Sequence, residues 1–379
     1  MKTFLLALAL DLAGAGLLAQ SPGALAPGRW PVGFTHLAAA DTSRPLASGR
    51  PRPIDMGVWY PARASAGPHL AYRTYFLLTP PPQDSLPADQ AARRELDGFA
   101  AFLASHGASP AAVTAWIDAP MLAKLDPPAA GGRFPLVLVA QGNGQTLHDQ
   151  APLCEYLASH GYVVATAPSP MRISGPLTDE REMGTRASEQ ARDLAFVLAR
   201  AAPRADVDAR RVGLVGHSFG ARAALLLAMQ EPRVAALVSL DGGIGTATGR
   251  PGLEQVPSFD PAALRAPVLH FYERLDPFMT PDFGLLRSLT ASDRWLVEVP
   301  AMHHHHFASL GAVSVTQPDL APALGATGET ARAYLAVARA TLDFLDHFLA
   351  HDPRAPAWPG SEALPSPLGA PEYLARTAR

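Results

Sequence analysis

From residue 134 onward, short apolar runs alternate with longer segments of helical period. The runs 134–140, 162–167, 212–215, 234–240, 268–272 and 295–299 are almost wholly hydrophobic. Such runs are the mark of strands buried on both faces. Between them lie segments whose apolar positions recur every three or four residues. Residues 147–160 form one, stopped by Gly161, and residues 185–202 form another, with Leu194, Val197 and Leu198 at core spacing. Residues 221–229 are rich in alanine and leucine, and residues 330–349 place Leu335, Ala338, Leu342, Leu345 and Leu349 on one face. Strand alternating with helix predicts an α/β fold: a mainly parallel central sheet with helices on both faces. Reactive groups in such a sheet belong in the loops at the carboxyl ends of the strands.

The first third of the chain is patterned differently. Residues 30–37 and 54–60 read as an antiparallel pair joined through a turn near Asp41-Thr42-Ser43-Arg44-Pro45. Residues 80–130 open on Pro80-Pro81-Pro82, close on Pro127-Pro128 and hold two helical patterns, 91–105 and 110–125. They predict a helical insertion before the first parallel strand. At the N-terminus, Lys2 precedes the apolar run Phe4 to Leu10, and small residues with a possible cleavage site at Ala24-Leu25-Ala26 follow. This reads as a signal peptide over residues 1–26, predicting a periplasmic or secreted protein. No later stretch has the length of a transmembrane helix. The expected organisation is a signal peptide, one α/β domain over 27–351, and a Pro-rich tail over 352–379 that reads as surface loop.

Composition narrows the function classes. The chain has 379 residues, 48% of them apolar, enough for one large core, and a net charge of −3. Mixed charge of that size excludes a nucleic-acid binder of the basic kind. The single cysteine, Cys154, has no partner for an internal disulfide and sits in a helical pattern as a small apolar residue.

The chemistry-bearing motif is Gly216-His217-Ser218-Phe219-Gly220. A strand runs straight into it and a helix follows at once, the context in which G-x-S-x-G marks a nucleophilic serine on a sharp turn. Such a serine needs a base, and the base needs an acid to orient it. In this fold the acid and the histidine follow the serine in the chain. Two acids lie at strand ends, Asp241 after 234–240 and Asp276 after 268–272, and position alone slightly favours Asp276. The histidine comes from the run His303-His304-His305-His306 behind the last apolar strand. His217, beside the nucleophile, reads as structural. For an oxyanion hole, the backbone N–H of Phe219 is one donor. Asn143, in the Gln141-Gly142-Asn143-Gly144 loop after 134–140, is the candidate for the other.

Several stretches together resemble the platelet-activating-factor acetylhydrolase-like branch of the α/β-hydrolases, which grades into the dienelactone-hydrolase-like esterases. They are Arg52-Pro53 with Val58-Trp59-Tyr60-Pro61, Phe134-Pro135-Leu136-Val137 leading to Gly142-Asn143-Gly144, Leu157 to Val164, and the serine motif. The resemblance runs over residues 30–350 and is strongest over 134–245. It implies an acid after the strand that follows the nucleophile helix, which is Asp241 and reverses the positional preference for Asp276. It implies His304 as the base, since Phe307-Ala308 follow it at the family's spacing. His306, directly before Phe307, matches secreted polyester hydrolases instead, and His305 stays as a further alternative. Relatives carry histidine where this chain has Gln141, a residue that shapes the loop without donating. Ser218 argues against dienelactone hydrolase activity, which uses cysteine.

The reading is therefore a serine esterase acting on a small-molecule or lipid ester, of short-acyl or phospholipid type. It needs no metal or organic cofactor. The rivals are a polyester or lipid hydrolase, a peptidase on the same fold, and a silent α/β-hydrolase that only binds a ligand or partner.

Overall fold

The computed structural model describes residues 25–80, 86–175, 177, 179–350, 358 and 364–377. All but the last two residues of the expected signal peptide lie outside this set. Twelve strands are described. Ten form one sheet: β1 (Val32–Leu37), β4 (Met56–Pro61), β5 (Ala123–Leu125), β6 (Phe134–Ala140), β7 (Val163–Ala167), β8 (Val207–His217), β9 (Val234–Leu240), β10 (Val268–Tyr272), β11 (Arg294–Glu298) and β12 (Glu372–Leu374). β2 (Ala40–Asp41) and β3 (Arg52–Pro53) pair separately as a short antiparallel ribbon.

The order across the sheet is β12-β11-β10-β9-β8-β6-β7-β4-β1-β5. The central strands from β7 to β11 are parallel, while β4 and β12 run against their neighbours. β6 and β8 are adjacent, but the chain leaves β6 towards β7 and leaves β8 towards β9, on opposite sides. That divergence opens a crevice at their carboxyl ends, where ligands bind in open α/β sheets. The mainly parallel sheet predicted from the apolar runs is the one observed.

Side chains alternate across the sheet and fill two cores. Val137, Val139, Val164, Val215 and Val238 face one layer, with the helices Leu147–Ser159 and Gly328–Leu345 packed on it. Leu136, Leu138, Ala165, Leu214 and Leu237 face the other, under the helices Met183–Ala201 and Gly220–Gln230. Gly213 lies where the closing helix crosses: a Cβ there would meet Leu345 Cδ2 at 2.9 Å. Cys154 is free and buried in the first layer. Among the described residues no helix is long and apolar enough to cross a membrane.

Two expectations are corrected. The insertion is not helical throughout: its helices end at Ile117, and Ala123–Leu125 joins the sheet edge parallel to β1. Glu155, buried in the helix Leu147–Ser159, holds it there by accepting the Leu122 N–H at 2.7 Å and the Tyr75 hydroxyl at 2.5 Å. The tail is not all loop, because residues 372–374 add an antiparallel strand to the opposite edge, with Tyr373 stacked 5.1 Å from Trp295. Three-residue strands at sheet edges are too short to carry a periodic signal of their own.

Candidate active site

β8 ends at His217, and the chain then turns sharply into the helix Gly220–Gln230. Ser218 sits at the turn with φ +53°, the left-handed region that side chains other than glycine rarely adopt. The turn is held by its surroundings: the Ser218 N–H donates to Leu240 O at 3.1 Å, and the Gly243 N–H donates to Ser218 O at 3.0 Å. A Cβ on Gly220 would lie 2.2 Å from Ala140 O, and one on Gly216 would lie 2.6 Å from Ala221 Cα. Both glycines are therefore steric requirements of the elbow.

Asp241 follows β9 and also has positive φ, +42°. Its N–H donates to Phe271 O at 2.9 Å, and its Oδ1 accepts the Glu273 N–H at 3.2 Å. The carboxylate is 2% exposed. Burial pushes the Asp241 carboxyl above its usual range, against the hydrogen bond from His304, which pulls it down.

The histidine run forms a tight turn, His304–Phe307, behind β11. His304 Nε2 lies 2.8 Å from Ser218 Oγ, and His304 Nδ1 lies 2.5 Å from Asp241 Oδ2. With a neutral ring, Nδ1–H donates to Asp241 and Nε2 accepts from the serine, a tautomer assigned by its partners. The structure thus brings Ser218, His304 and Asp241 into one hydrogen-bonded row.

The other candidates lie elsewhere. Both His305 Nε2 and His306 Nε2 approach Leu324 O, at 3.0 and 2.9 Å. His306 Nδ1 accepts the His303 N–H at 3.0 Å, so this ring shapes the turn. Burial first, then the neighbouring His305, depresses the His306 pKa to about 4. Asp276 accepts the His304 backbone N–H at 2.8 Å on Oδ2, and its Oδ1 lies 3.0 Å from His303 Nδ1. Partial burial would raise the Asp276 pKa, but the His304 N–H and the His303 ring outweigh it and hold it below the ordinary value. The His303 and His304 rings thus bind different acids while those of His305 and His306 share Leu324 O, and among the described residues no group of three or more His, Cys, Asp or Glu is placed to hold a metal ion.

His217 is buried, and its ring stacks on His304 at 5.0 Å. Burial, then the charge His304 can carry, depresses its pKa to about 3, so it stays neutral. Its Nδ1 lies 2.9 Å from Gln145 Oε1, which also accepts the Gly142 N–H at 2.6 Å. Asn143 is exposed in this loop, beside the elbow, because Ala140 and Gly216 are register partners in adjacent strands. Phe219 opens the nucleophile helix, whose N-terminus favours negative charge. Gln141 is fully buried and bonds Thr166 Oγ1 at 3.2 Å, while Gln190 Nε2 donates to its carbonyl at 2.7 Å.

Gln145, Gln190 and Glu273 are the contributors that sequence reasoning missed. Gln190 lies 49 positions from the loop it braces, and no local pattern announces it. A cavity of about 240 Å³ beside Ser309, lined by Tyr72, Trp116 and Tyr334 among others, contains none of the site residues named here.

Strand order, elbow and crevice together are those of an α/β-hydrolase. The sequence model of the chlorophyllase family matches residues 112–269. Cutinase 2 of Thermobifida cellulosilytica is 29% identical over 113 residues, covering 30% of this chain and 41% of that protein. Cutinase cut1 of Thermobifida fusca is also 29% identical over 113 residues, 30% of this chain and 34% of its own. The matched chain thus spans less than half the length of these curated relatives. A ferulic acid esterase from Streptomyces cinnamoneus shares the fold with a TM-score of 0.62 at 24% identity, covering 86% of this chain and 93% of that one.

Proposed function

We propose that this chain is a serine carboxylic ester hydrolase. Ser218 attacks the ester carbonyl while His304 takes its proton. The tetrahedral oxyanion is held by the backbone N–H groups of Phe219 and Asn143. His304 then gives the proton to the leaving alkoxide, and water hydrolyses the acyl-enzyme by the same route in reverse. Asp241 fixes the imidazole tautomer and stabilises its charged form. The reaction runs without metal or organic cofactor. The carrying observation is the row Ser218 Oγ–His304 Nε2 at 2.8 Å and His304 Nδ1–Asp241 Oδ2 at 2.5 Å. Similarity to two cutinases and to the chlorophyllase family supports the ester-hydrolase reading.

The substrate is a small-molecule or lipid ester, and the enzyme is exported through its N-terminal segment. Within the superfamily, an acid directly after the strand that follows the nucleophile helix favours the platelet-activating-factor acetylhydrolase-like branch. A second reading, a polyester hydrolase, draws on the cutinase similarity. The test is labelling of the purified protein with a fluorophosphonate probe. Wild type is expected to label once per chain and Ser218→Ala not at all. An unlabelled wild type, or a labelled Ser218→Ala, sinks the proposal. A comparison of rates on a soluble acetate ester and on a polyester film separates the two readings.

A further inference from the structure

The loop behind β10 presents two large apolar side chains to solvent. Phe278 is 70% exposed and Leu275 is 47% exposed, on either side of Asp276. A single exposed apolar residue is ordinary on a protein surface. This pair is distinguished by how firmly its backbone is held. The Glu273 carboxylate accepts the N–H groups of Leu275 and of Asp276, and the Glu273 N–H is itself bound to Asp241. Asp276 is tied to His303 and to the His304 backbone. Thr280 Oγ1 donates to Pro277 O at 2.7 Å, and Met279 is buried. The loop is therefore an anchored segment, and it holds the Phe278 ring edge-on to the His304 ring, 5.3 Å away at 85°.

Position then assigns a role. His304 Nε2 faces Ser218 and, in the esterase reading on which this inference rests, delivers the proton to the leaving alkoxide. The alcohol half of the substrate must lie on the His304 side, with the carbonyl oxygen turned towards Phe219 and Asn143. His217 already stacks on the His304 ring. Phe278 packs against His304 from the exposed loop. We infer that Phe278, with Leu275 beside it, is a specificity-determining platform for the alcohol portion of the ester. It selects esters of bulky aromatic or alicyclic alcohols over those of short alkyl alcohols. The flat ring offers a contact face that a substrate ring buries on binding, and aromatic contacts add to that burial.

The test uses acetates that share one acyl group and differ in alcohol: ethyl, cyclohexylmethyl and 2-naphthylmethyl acetate. For wild type, kcat/KM is expected to rise along that series. Phe278→Ala should raise KM for 2-naphthylmethyl acetate by roughly tenfold and change ethyl acetate by less than about twofold. Phe278→Trp should keep the preference. An equal fall on all three esters overturns the inference, because the ring then only shields or steadies His304. Absence of hydrolysis and of fluorophosphonate labelling in wild type removes the esterase reading itself. Turnover without alcohol preference leaves that reading standing and removes only this one.

Discussion

Asp276 Oδ2 accepts the backbone N–H of His304 at 2.8 Å, while the ring of the same histidine is bound by a different acid. His304 is thus held twice: Asp241 grips Nδ1 from the end of β9, and Asp276 grips the main chain from the loop behind β10. The two acids that sequence position left in competition are used together, for different jobs.

The division of labour separates the two asparagine variants. Asp241→Asn replaces the acceptor of the ring N–H and favours the wrong tautomer, so kcat on a soluble ester should fall about 10³–10⁴-fold. Asp276→Asn keeps the ring partner but loosens the turn, and a small misplacement of the base costs about 10–100-fold. Steady-state kinetics on both variants check this. The larger loss in Asp276→Asn would reverse the assignment of the acid.

Gly220→Ala tests the elbow. Its Cβ would fall 2.2 Å from Ala140 O, a main-chain atom in the central sheet that has no free path to move away. Overpacking of this kind costs about 3 kcal/mol. The expected outcome is a lower urea midpoint with loss of fluorophosphonate labelling. A variant of wild-type stability would mean that the turn is wider than described.

Arg52 was legible in the sequence only as part of a family resemblance, and its physical role lies in the packing. From β3 it forms two parallel hydrogen bonds to Asp193, at 2.9 and 2.8 Å, and a third to Glu189 at 2.7 Å, both on the helix Met183–Ala201. The guanidinium and Asp193 are buried. Arg52→Met leaves the buried Asp193 with Arg44 alone, 2.8 Å from its Oδ1, and the half-buried Glu189 with Arg186, and should cost about 2–3 kcal/mol by urea unfolding. Arg52→Met with Asp193→Leu should recover most of that loss. A single variant as stable as wild type would remove this ion pair from the account of the fold.

The central strands were legible because burial on both faces leaves continuous apolar runs, as in 134–140 and 234–240. The elbow was legible because G-x-S-x-G needs a strand before it and a helix after it, and both patterns are strong here. Which histidine meets the serine was not legible from the residues alone. Four identical side chains in sequence differ only in the turn geometry, where His306 and His305 are drawn to Leu324 O and only His304 faces Ser218. The edge strands β5 and β12 were hidden because their three residues pair through long-range contacts, and neither has an apolar pattern of its own.

Stability should fall steeply on mild acidification, for a reason set by buried histidines. Burial depresses the pKa of His148, His217 and His270 to about 3 and that of His306 to about 4, from an ordinary 6.5. A depressed histidine stabilises the folded state fully above the unfolded value, and that contribution is lost as pH falls from 6.5 towards the folded value. Buried acids act in the opposite sense: burial raises Asp55, Asp241, Glu273 and Asp346, and most strongly Glu155 and Asp149. Burial raises Glu155 and Asp149 to about 7, so their folded forms keep protons that the unfolded chain releases above pH 4.5. Between pH 6 and 5, unfolding therefore takes up about four protons at these histidines and releases about two at Glu155 and Asp149, with further release at the other raised acids. The histidine uptake outweighs the release at those two acids, so the unfolding free energy falls as pH falls in that window, by no more than about 3 kcal/mol per pH unit. Glu155→Gln removes one of the opposing groups and should steepen the slope by about one proton. Urea titrations at closely spaced pH values measure both slopes. A wild-type stability that rises as pH falls from 6 to 5 would mean that these histidines are protonated in the folded protein, and a slope unchanged in Glu155→Gln would mean that Glu155 is folded as its carboxylate.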